Sequence, residues 1–430
     1  MQARYEDWVN GLNTDWLISR QRFFGVPIPV WYKVDTNGEI DFESVLTPNE
    51  EALPVDPSSD VPAGYTEDQR NQPNGFVGEV DIMDTWATSS LTPQLATGWV
   101  DDDDLFQRTF PMDMRPQAHE IIRTWLFSSV VRAHFLSETG ENGTAPWKHA
   151  SISGWILDPD RKKMSKSQGN VVTPAAILDE FGSDAVRYWA GSARPGADTA
   201  YDTNQMKVGR RLSIKLLNAS KFVLGFPEPP AGARPTERVD LALVNRLSAL
   251  ATEATAAFEA YDYAKALDRT EAAFWTFCDD YLELVKGRAY GAQGEAAAAS
   301  ALATLRLALS TFHRLFSPFL PFVTEEVWSW WQTGSVHRAA WPAQNDYPGG
   351  DEGDDVLTIA MNVLGDVRRA KSDAKVSQRA AVTTCVVTAD STALANLTHV
   401  FGDLKEAGSI VDLQTNEGAY NVAITLAPVE

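Results

Sequence analysis

Cysteine is almost absent from this sequence: Cys278 and Cys385 are the only two in 430 residues. Two cysteines cannot form a disulfide framework or a four-cysteine zinc site, and their scarcity fits a reducing, cytoplasmic setting. No run approaches the ~18 consecutive apolar residues of a membrane span. The first residues, Met1 to Trp8, lack the apolar core of a secretory signal. Basic residues are short as well, 37 against 58 acidic, for a net charge of −21. That balance excludes a broadly basic nucleic-acid surface. Salt screens the self-repulsion of a dense acidic surface, so a salt-adapted, halophilic source is expected. The runs Asp101-Asp102-Asp103-Asp104 and Asp351-Glu352-Gly353-Asp354-Asp355 read as solvated surface, and any nucleic-acid contact should be a local basic patch on an acidic body.

What is present argues for packed domains. Hydrophobic residues make up 44% of the chain and include 14 Trp, enough for two or three cores at this length. Residues 1–203 read as α/β. Val26 to Tyr32 suggests a strand, confined to an edge by Pro27 and Pro29. Residues 47–75 read as an exposed excursion, and Phe110 to Met114 as a short strand. His119 to Leu136 has helical spacing through Ile122, Leu126, Val130 and Ala133, and Ile152 to Leu157 suggests the next strand. Strand, helix and strand in this order predict a βαβ unit with a parallel sheet. From about Asn204 to Trp331 the chain becomes rich in Ala and Leu at helical spacing, which predicts an antiparallel bundle over 204–348. Gly225 to Gly232 separates two of its helices, and Pro318 and Pro321 interrupt the last. Residues 354–430 read as a small α/β segment with a helix over Val356 to Lys371 and strands over Ala381 to Thr388 and Asn421 to Leu426. The expected fold is thus α/β followed by all-α, with a small α/β tail.

One loop carries the strongest chemical signal. In Lys163-Met164-Ser165-Lys166-Ser167 two lysines flank a short polar turn closed by Gly169, fed by an apolar strand and followed by a helix with Pro174 in its first turn. Ammonium groups and backbone N–H donors on such a loop suit a polyphosphate, and the five residues alone fit a solvated basic turn between a strand and a helix equally well.

The loop and its flanks resemble the KMSKS loop of class I aminoacyl-tRNA synthetases. Asp15 to Tyr32, with Ser-Arg-Gln-Arg-Phe-Phe-Gly-Val-Pro-Ile-Pro at its centre, resembles the segment that re-enters the catalytic core after the editing insertion in the Ile/Leu/Val subgroup. It is most similar to the valine-specific members of archaeal type. Asp84-Thr85-Trp86-Ala87-Thr88-Ser89-Ser90 resembles the subgroup's Asp-Thr-Trp-Phe-Ser-Ser motif, with Ala87 in place of the aromatic. Residues 210–222 resemble the family's helix after the KMSKS region, and residues 317–328 the end of its anticodon-binding domain. The resemblance implies a Rossmann-like catalytic portion followed by a helical anticodon-binding domain, and ATP-dependent activation of valine for transfer to tRNA(Val).

Carried over residue by residue, it implies that Lys166, with Lys163 second, offsets charge on the departing pyrophosphate. Gln117, His119, Glu120, Gly154, Met164, Ser165 and Ser167 would contact ATP or the adenylate. Trp86, and more weakly Trp125, would wall the amino-acid pocket. A basic stripe of Lys207, Arg210, Arg211, Lys215 and Lys221 would meet the tRNA backbone. A second stripe, Arg368, Arg369, Lys371, Lys375 and Arg379, reads better as a solvated helix face. Mg²⁺ is implied with ATP. Lys33 and Asn37-Gly38 stand where relatives often carry a Cys pair, so no bound zinc is expected.

The family's His-Ile-Gly-His-type motif and its editing insertion do not occur in these 430 residues. The match therefore covers the C-terminal half of the family, and the partner expected for this piece is the N-terminal half with the editing domain. A truncated gene, a degenerate paralogue and a fragment all fit, and a fragment of a full-length enzyme fits best. Alternative readings are an isoleucine–tRNA ligase and a non-catalytic tRNA-binding module.

Overall fold

The computed structural model describes residues 2–136, 144–165, 169–349 and 355–428. They form two compact units, Met1–Trp155 and Ile156–Glu430.

The first unit opens with α1 (Gln2–Asn10) and is otherwise built on short ladders. β1 (Ser19–Arg20) pairs antiparallel with β5 (Ile82–Met83). β2 (Trp31–Val34) is the centre of an antiparallel sheet with β3 (Ile40–Leu46) and β4 (Phe76–Gly78). The expected strand at Val26–Tyr32 is shifted, because Pro27 and Pro29 cannot donate to a ladder, and only a single bridge from Pro27 to Ile82 remains ahead of Trp31. Three short helices follow, α2 (Thr85–Ser89), α3 (Thr92–Ala96) and α4 (Asp103–Thr109). β6 (Met112–Ala118) then lies parallel to β7 (Trp147–Ser153), with α5 (Phe127–Leu136) between them in sequence, so the expected βαβ unit is present. Its helix does not start smoothly at His119. A 3-10 turn (His119–Ile121) and a π-helical turn (Ile122–Leu126) precede α5.

The predicted strand over Ile152–Leu157 is in fact two. β7 ends at Ser153, Gly154 and Trp155 belong to neither strand, and β8 (Ile156–Leu157) opens the second unit beside a different, parallel partner, β9 (Thr199–Ala200). The apolar run continues across the break, so composition alone hides the change of partner.

The second unit contains α6 (Pro174–Phe181) and α7 (Ser183–Gly191), then the bundle: α8 (Thr203–Leu224), α9 (Arg238–Glu259), α10 (Tyr263–Thr276), α11 (Leu282–Ala289), α12 (Glu295–Phe316) and α13 (Pro321–Ser329). Asp202 and Asp262 cap α8 and α10 with their side chains. Pro321 sits in the first turn of α13, where its missing N–H costs no hydrogen bond. Beyond the bundle, α14 (Asp355–Asp373), β10 (Val382–Ala389), α15 (Ser391–Thr398), α16 (Phe401–Ala407), β11 (Ile410–Glu417) and β12 (Asn421–Leu426) form the tail, with β10 parallel to β11 and antiparallel to β12. β11 was not foreseen, because Val411-Asp412-Leu413-Gln414-Thr415-Asn416-Glu417 is mostly polar and exposed.

Bundle and tail share one apolar core, which runs from Leu216, Leu247, Phe274 and Phe312 to Leu357, Val363, Val387 and Leu404. A buried polar cluster joins them as well. Arg288 donates to both carboxylate oxygens of Asp240 at 2.7 Å, and its Nε donates to Asp403 at 3.1 Å. Tyr281 and Ser300 also donate to Asp240. Burial pushes the Asp403 carboxyl up to about 6, against the pull of Arg288. Cys278 and Cys385 lie in this core, where burial raises their thiols to about 12 and about 11. No helix among the described residues is long and apolar enough to cross a membrane.

Candidate functional site

The two motifs that begin at Asp15 and Asp84 are far apart in sequence and adjacent in space. The β1–β5 ladder sets Ser19 opposite Met83 and Arg20 opposite Ile82. Gly25 makes the close approach possible, because a Cβ there would stand 2.0 Å from the Ile82 Cδ1. Between the motifs lies a cavity of about 470 Å³ lined by Arg20, Arg22, Phe24, Asp84, Trp86 and Thr88, among others. Asp84 organises its floor. The carboxylate caps α2 by accepting the Trp86 N–H at 2.7 Å, and it forms an ion pair with Arg20. Trp86 is half-buried and lines the cavity, and its backbone N–H is held by Asp84.

Trp125 is placed differently. It is 6% exposed and stacks on Trp147 at 5.5 Å. Its Nε1 donates to the Ser89 carbonyl, and the Arg115 guanidinium lies 4.8 Å from its ring. Trp125 is not among the residues that line this cavity, and it packs against Trp147.

The end of β6 gathers the expected adenylate-binding side chains. His119 is buried, and because a carbonyl only accepts, its Nδ1 must carry the hydrogen donated to Ser153 at 3.1 Å. Trp155 meets the imidazole edge-on at 4.7 Å. His119 therefore ties the strand-to-helix turn to the end of β7, beside Gly154, and caps no helix. Gln117 is 9% exposed, yet neither its amide oxygen nor its nitrogen has a hydrogen-bond partner among the described residues. Such a group costs stability unless something polar completes it. Glu120 is exposed. Gln94 on α3 is buried with both side-chain atoms unsatisfied, and carries no motif that would mark it in the sequence.

The lysine loop belongs to the second unit. Lys163 is exposed and bridges through its backbone to Leu157. Met164 and Ser165 are half-buried. Lys166 and Ser167 lie outside the described residues. Asn170 fastens the loop's two ends: its oxygen accepts the Ser165 N–H at 2.9 Å, and its nitrogen donates to Asp158 at 2.9 Å and to the Lys163 carbonyl at 3.2 Å. Hydrogen bonds from the Lys162 N–H and the Asn170 amide hold the Asp158 carboxyl below the usual carboxylate range. Sequence reading passed over Asp158 and Asn170, although both lie within the same motif.

Lys207, Arg210, Arg211, Lys215 and Lys221 all lie on α8, and 100° per residue puts them on one side of it. Lys215 is engaged with Asp279 at 2.9 Å, and Arg210 donates to the Glu180 carbonyl at 3.1 Å. Lys207, Arg211 and Lys221 are exposed.

The model of class I tRNA synthetases (I, L, M and V) matches residues 1–202, and the model of the anticodon-binding domain of tRNA ligase matches residues 240–386. The chain belongs to the class I tRNA synthetases, with part of the catalytic fold followed by a helical anticodon-binding domain. Its relatives are more specific. It is 56% identical to the valine–tRNA ligase of Salinispora tropica, over 97% of this chain and 50% of that protein. It is 56% identical to the valine–tRNA ligase of Thermobifida fusca, over 100% of this chain and 49% of that protein. The chain is thus homologous to the C-terminal half of valine–tRNA ligases and spans about half the length of the curated relatives it matches. The archaeal type suggested by the opening segment finds no support in these bacterial relatives. A solved LeuRS from Agrobacterium radiobacter K84, in a ternary complex with tRNA and LeuAMS, shares the fold at a TM-score of 0.60 and 17% identity, covering 97% of this chain and 52% of that one.

Proposed function

We propose that this chain is the C-terminal half of a valine–tRNA ligase, which activates valine with ATP and Mg²⁺ and transfers it to tRNA(Val) in the cytoplasm. The observation that carries the reading is the cavity walled by Trp86 and ordered by Asp84, in a chain 56% identical to valine–tRNA ligases. A small apolar wall suits an aliphatic side chain, and the Arg20–Asp84 pair keeps the cavity's carboxylate from standing alone.

In the first step a valine carboxylate oxygen attacks the α-phosphorus of ATP, and the bond to pyrophosphate breaks. Lys166 and Lys163 are assigned to the charge gathering on pyrophosphate, and Met164 and Ser165 to the nucleotide beside them. Gln117 and His119 are assigned to the adenylate: an unsatisfied amide and a fixed imidazole offer donors and an acceptor to a ribose or an ammonium group. Gly154 leaves room for the adenine, and Glu120 stands at the rim. In the second step a terminal ribose hydroxyl of tRNA attacks the adenylate carbonyl and AMP leaves, while Lys207, Arg211 and Lys221 hold the tRNA backbone. A salt-adapted source fits the charge of −21.

The test is valine-dependent ATP–pyrophosphate exchange by the chain combined with the first half of a relative. Lys166→Ala should lower exchange by about 10²- to 10³-fold, the usual loss for a preorganised charge-stabilising group, with folding unchanged. Unchanged exchange would remove Lys166 from the mechanism, and preference for isoleucine in an amino-acid panel would overturn the valine assignment.

A further inference from the structure

The helix that carries Trp86, α2, is only five residues long, and a helix this short does not hold its own shape. Its start is fixed locally, by the Asp84 carboxylate that accepts the Trp86 N–H. Its end is fixed from elsewhere in the chain. Arg132 on α5 donates through one Nη to the Ala87 carbonyl and, at 3.2 Å, to Ser90 Oγ. The Ser90 hydroxyl donates to the same carbonyl at 2.9 Å, which closes a triangle. Trp125, about two helical turns before Arg132, donates to the Ser89 carbonyl at 2.8 Å. One stretch of helix therefore grips the far end of α2 at three neighbouring residues.

What marks Arg132 is the chemistry it uses. Ala87 and Ser90 are 6% and 0% exposed, and Arg132 itself is half-buried. Burial pulls its guanidinium below the ordinary arginine value. Both of its hydrogen bonds among the described residues go to neutral acceptors, a carbonyl and a hydroxyl. A partly desolvated cation recovers less of its lost hydration from such partners than from a carboxylate. Stability alone does not favour that choice, and departures of this kind gather where a site needs a fixed geometry. The geometry at stake is that of Trp86, the second residue of α2, which lines the cavity while Arg132 is not among its lining residues.

We propose that Arg132 is a positioning residue for amino-acid selection: by holding the Ala87 carbonyl and Ser90 it sets how far Trp86 stands into the cavity, without touching the amino acid. The inference rests on the valine reading and deepens it, giving the pocket wall a support that lies outside the motif around Trp86.

The test uses the full chain combined with the first half of a relative in ATP–pyrophosphate exchange, with valine and ATP varied separately. Arg132→Met keeps a long side chain and removes the charge and the donors. It should lower kcat/KM for valine about 10- to 100-fold, the scale of a displaced positioning contact, and leave the KM for ATP unchanged. Preference for valine over isoleucine and threonine should fall with it. Arg132→Lys should recover much of the loss, since an ammonium can still donate to both acceptors. Ser90→Ala should lose less, and adding it to Arg132→Met should cost little more, because both act through one carbonyl. Amide exchange of the chain alone reads the same support without turnover: residues 85–91 should quicken in Arg132→Met while residues 112–118 hold. Unchanged kinetics for valine, an equal loss for every amino acid and for ATP, or parent-like amide exchange over 85–91 would overturn the positioning role and leave the valine reading standing. No exchange with valine by the unaltered chain and its complement would overturn the reading and the inference together.

Discussion

The two units are held together by different means. Both apolar clusters among the described residues lie in the second unit. There Phe274, Phe312, Phe316 and their neighbours are fully buried, and bundle and tail close over a common interior. The first unit buries few large side chains and leaves many outside: Leu17 is 72% exposed, Phe23 91% and Phe24 84%. Its order comes from short ladders, the Asp84 cap and fixed polar ties such as His119 to Ser153. Apolar surface of this extent costs stability in water and invites a covering partner. The difference teaches where each unit should be sensitive: the second to loss of interior volume or charge pairing, the first to disturbance of a few local geometries.

The strongest challenge to the second unit is Asp240→Asn. It strips a bidentate pair from a buried guanidinium and disturbs the bonds to Tyr281 and Ser300, so it should cost about 3–5 kcal/mol in denaturant unfolding. A loss under 1 kcal/mol would show that Arg288 finds water and that the interior is less dry than its burial indicates.

Gly25→Ala sets the first unit against the second. The new Cβ would strike Ile82, forcing β1 and β5 apart, with an expected cost of about 1–3 kcal/mol. Amide exchange should quicken over residues 18–26 and 82–88 while residues 238–316 stay protected. Equal quickening in both regions would mean that the units unfold as one.

Asp403→Asn should have the smallest effect, within about 1 kcal/mol at pH 7, because Arg288 keeps Asp240 as its partner. Its signature is pH dependence. The folded carboxyl titrates near 6 against an ordinary value of 3.8, so the folded state binds a proton that the unfolded chain releases. The resulting stabilisation is fully present below about 4 and is lost as pH rises through about 6. Urea midpoints of the parent should therefore rise between pH 7 and pH 5 more than those of Asp403→Asn. Parallel midpoints would detach Asp403 from the effect.

The same contrast explains what could be read from the sequence. Arrangements set by neighbouring residues were legible: Asp84 caps its own helix, and five cations fall on one side of α8. The bundle was legible because helical spacing of Leu and Phe repeats over whole helices. What escaped depends on partners distant in sequence. The break at Gly154–Trp155 is a change of neighbouring strand within one apolar run. β11 is a polar strand recognised only by its pairing with β10. The stacking of Trp125 on Trp147 and its bond to the Ser89 carbonyl join residues that the sequence does not place together. Lys371 looked solvated because spacing does not reveal two carbonyls waiting inside.

The two thiols deserve a last consequence. Cys278 and Cys385 are buried, with thiols raised to about 12 and about 11, so the reactive thiolate is a minute fraction at neutral pH. A maleimide dye or spin label added to the folded chain finds almost nothing to attack. The natural sequence is therefore a silent background for site-directed labelling, and one cysteine placed at an exposed position such as Lys207 could be labelled without any other residue first being removed.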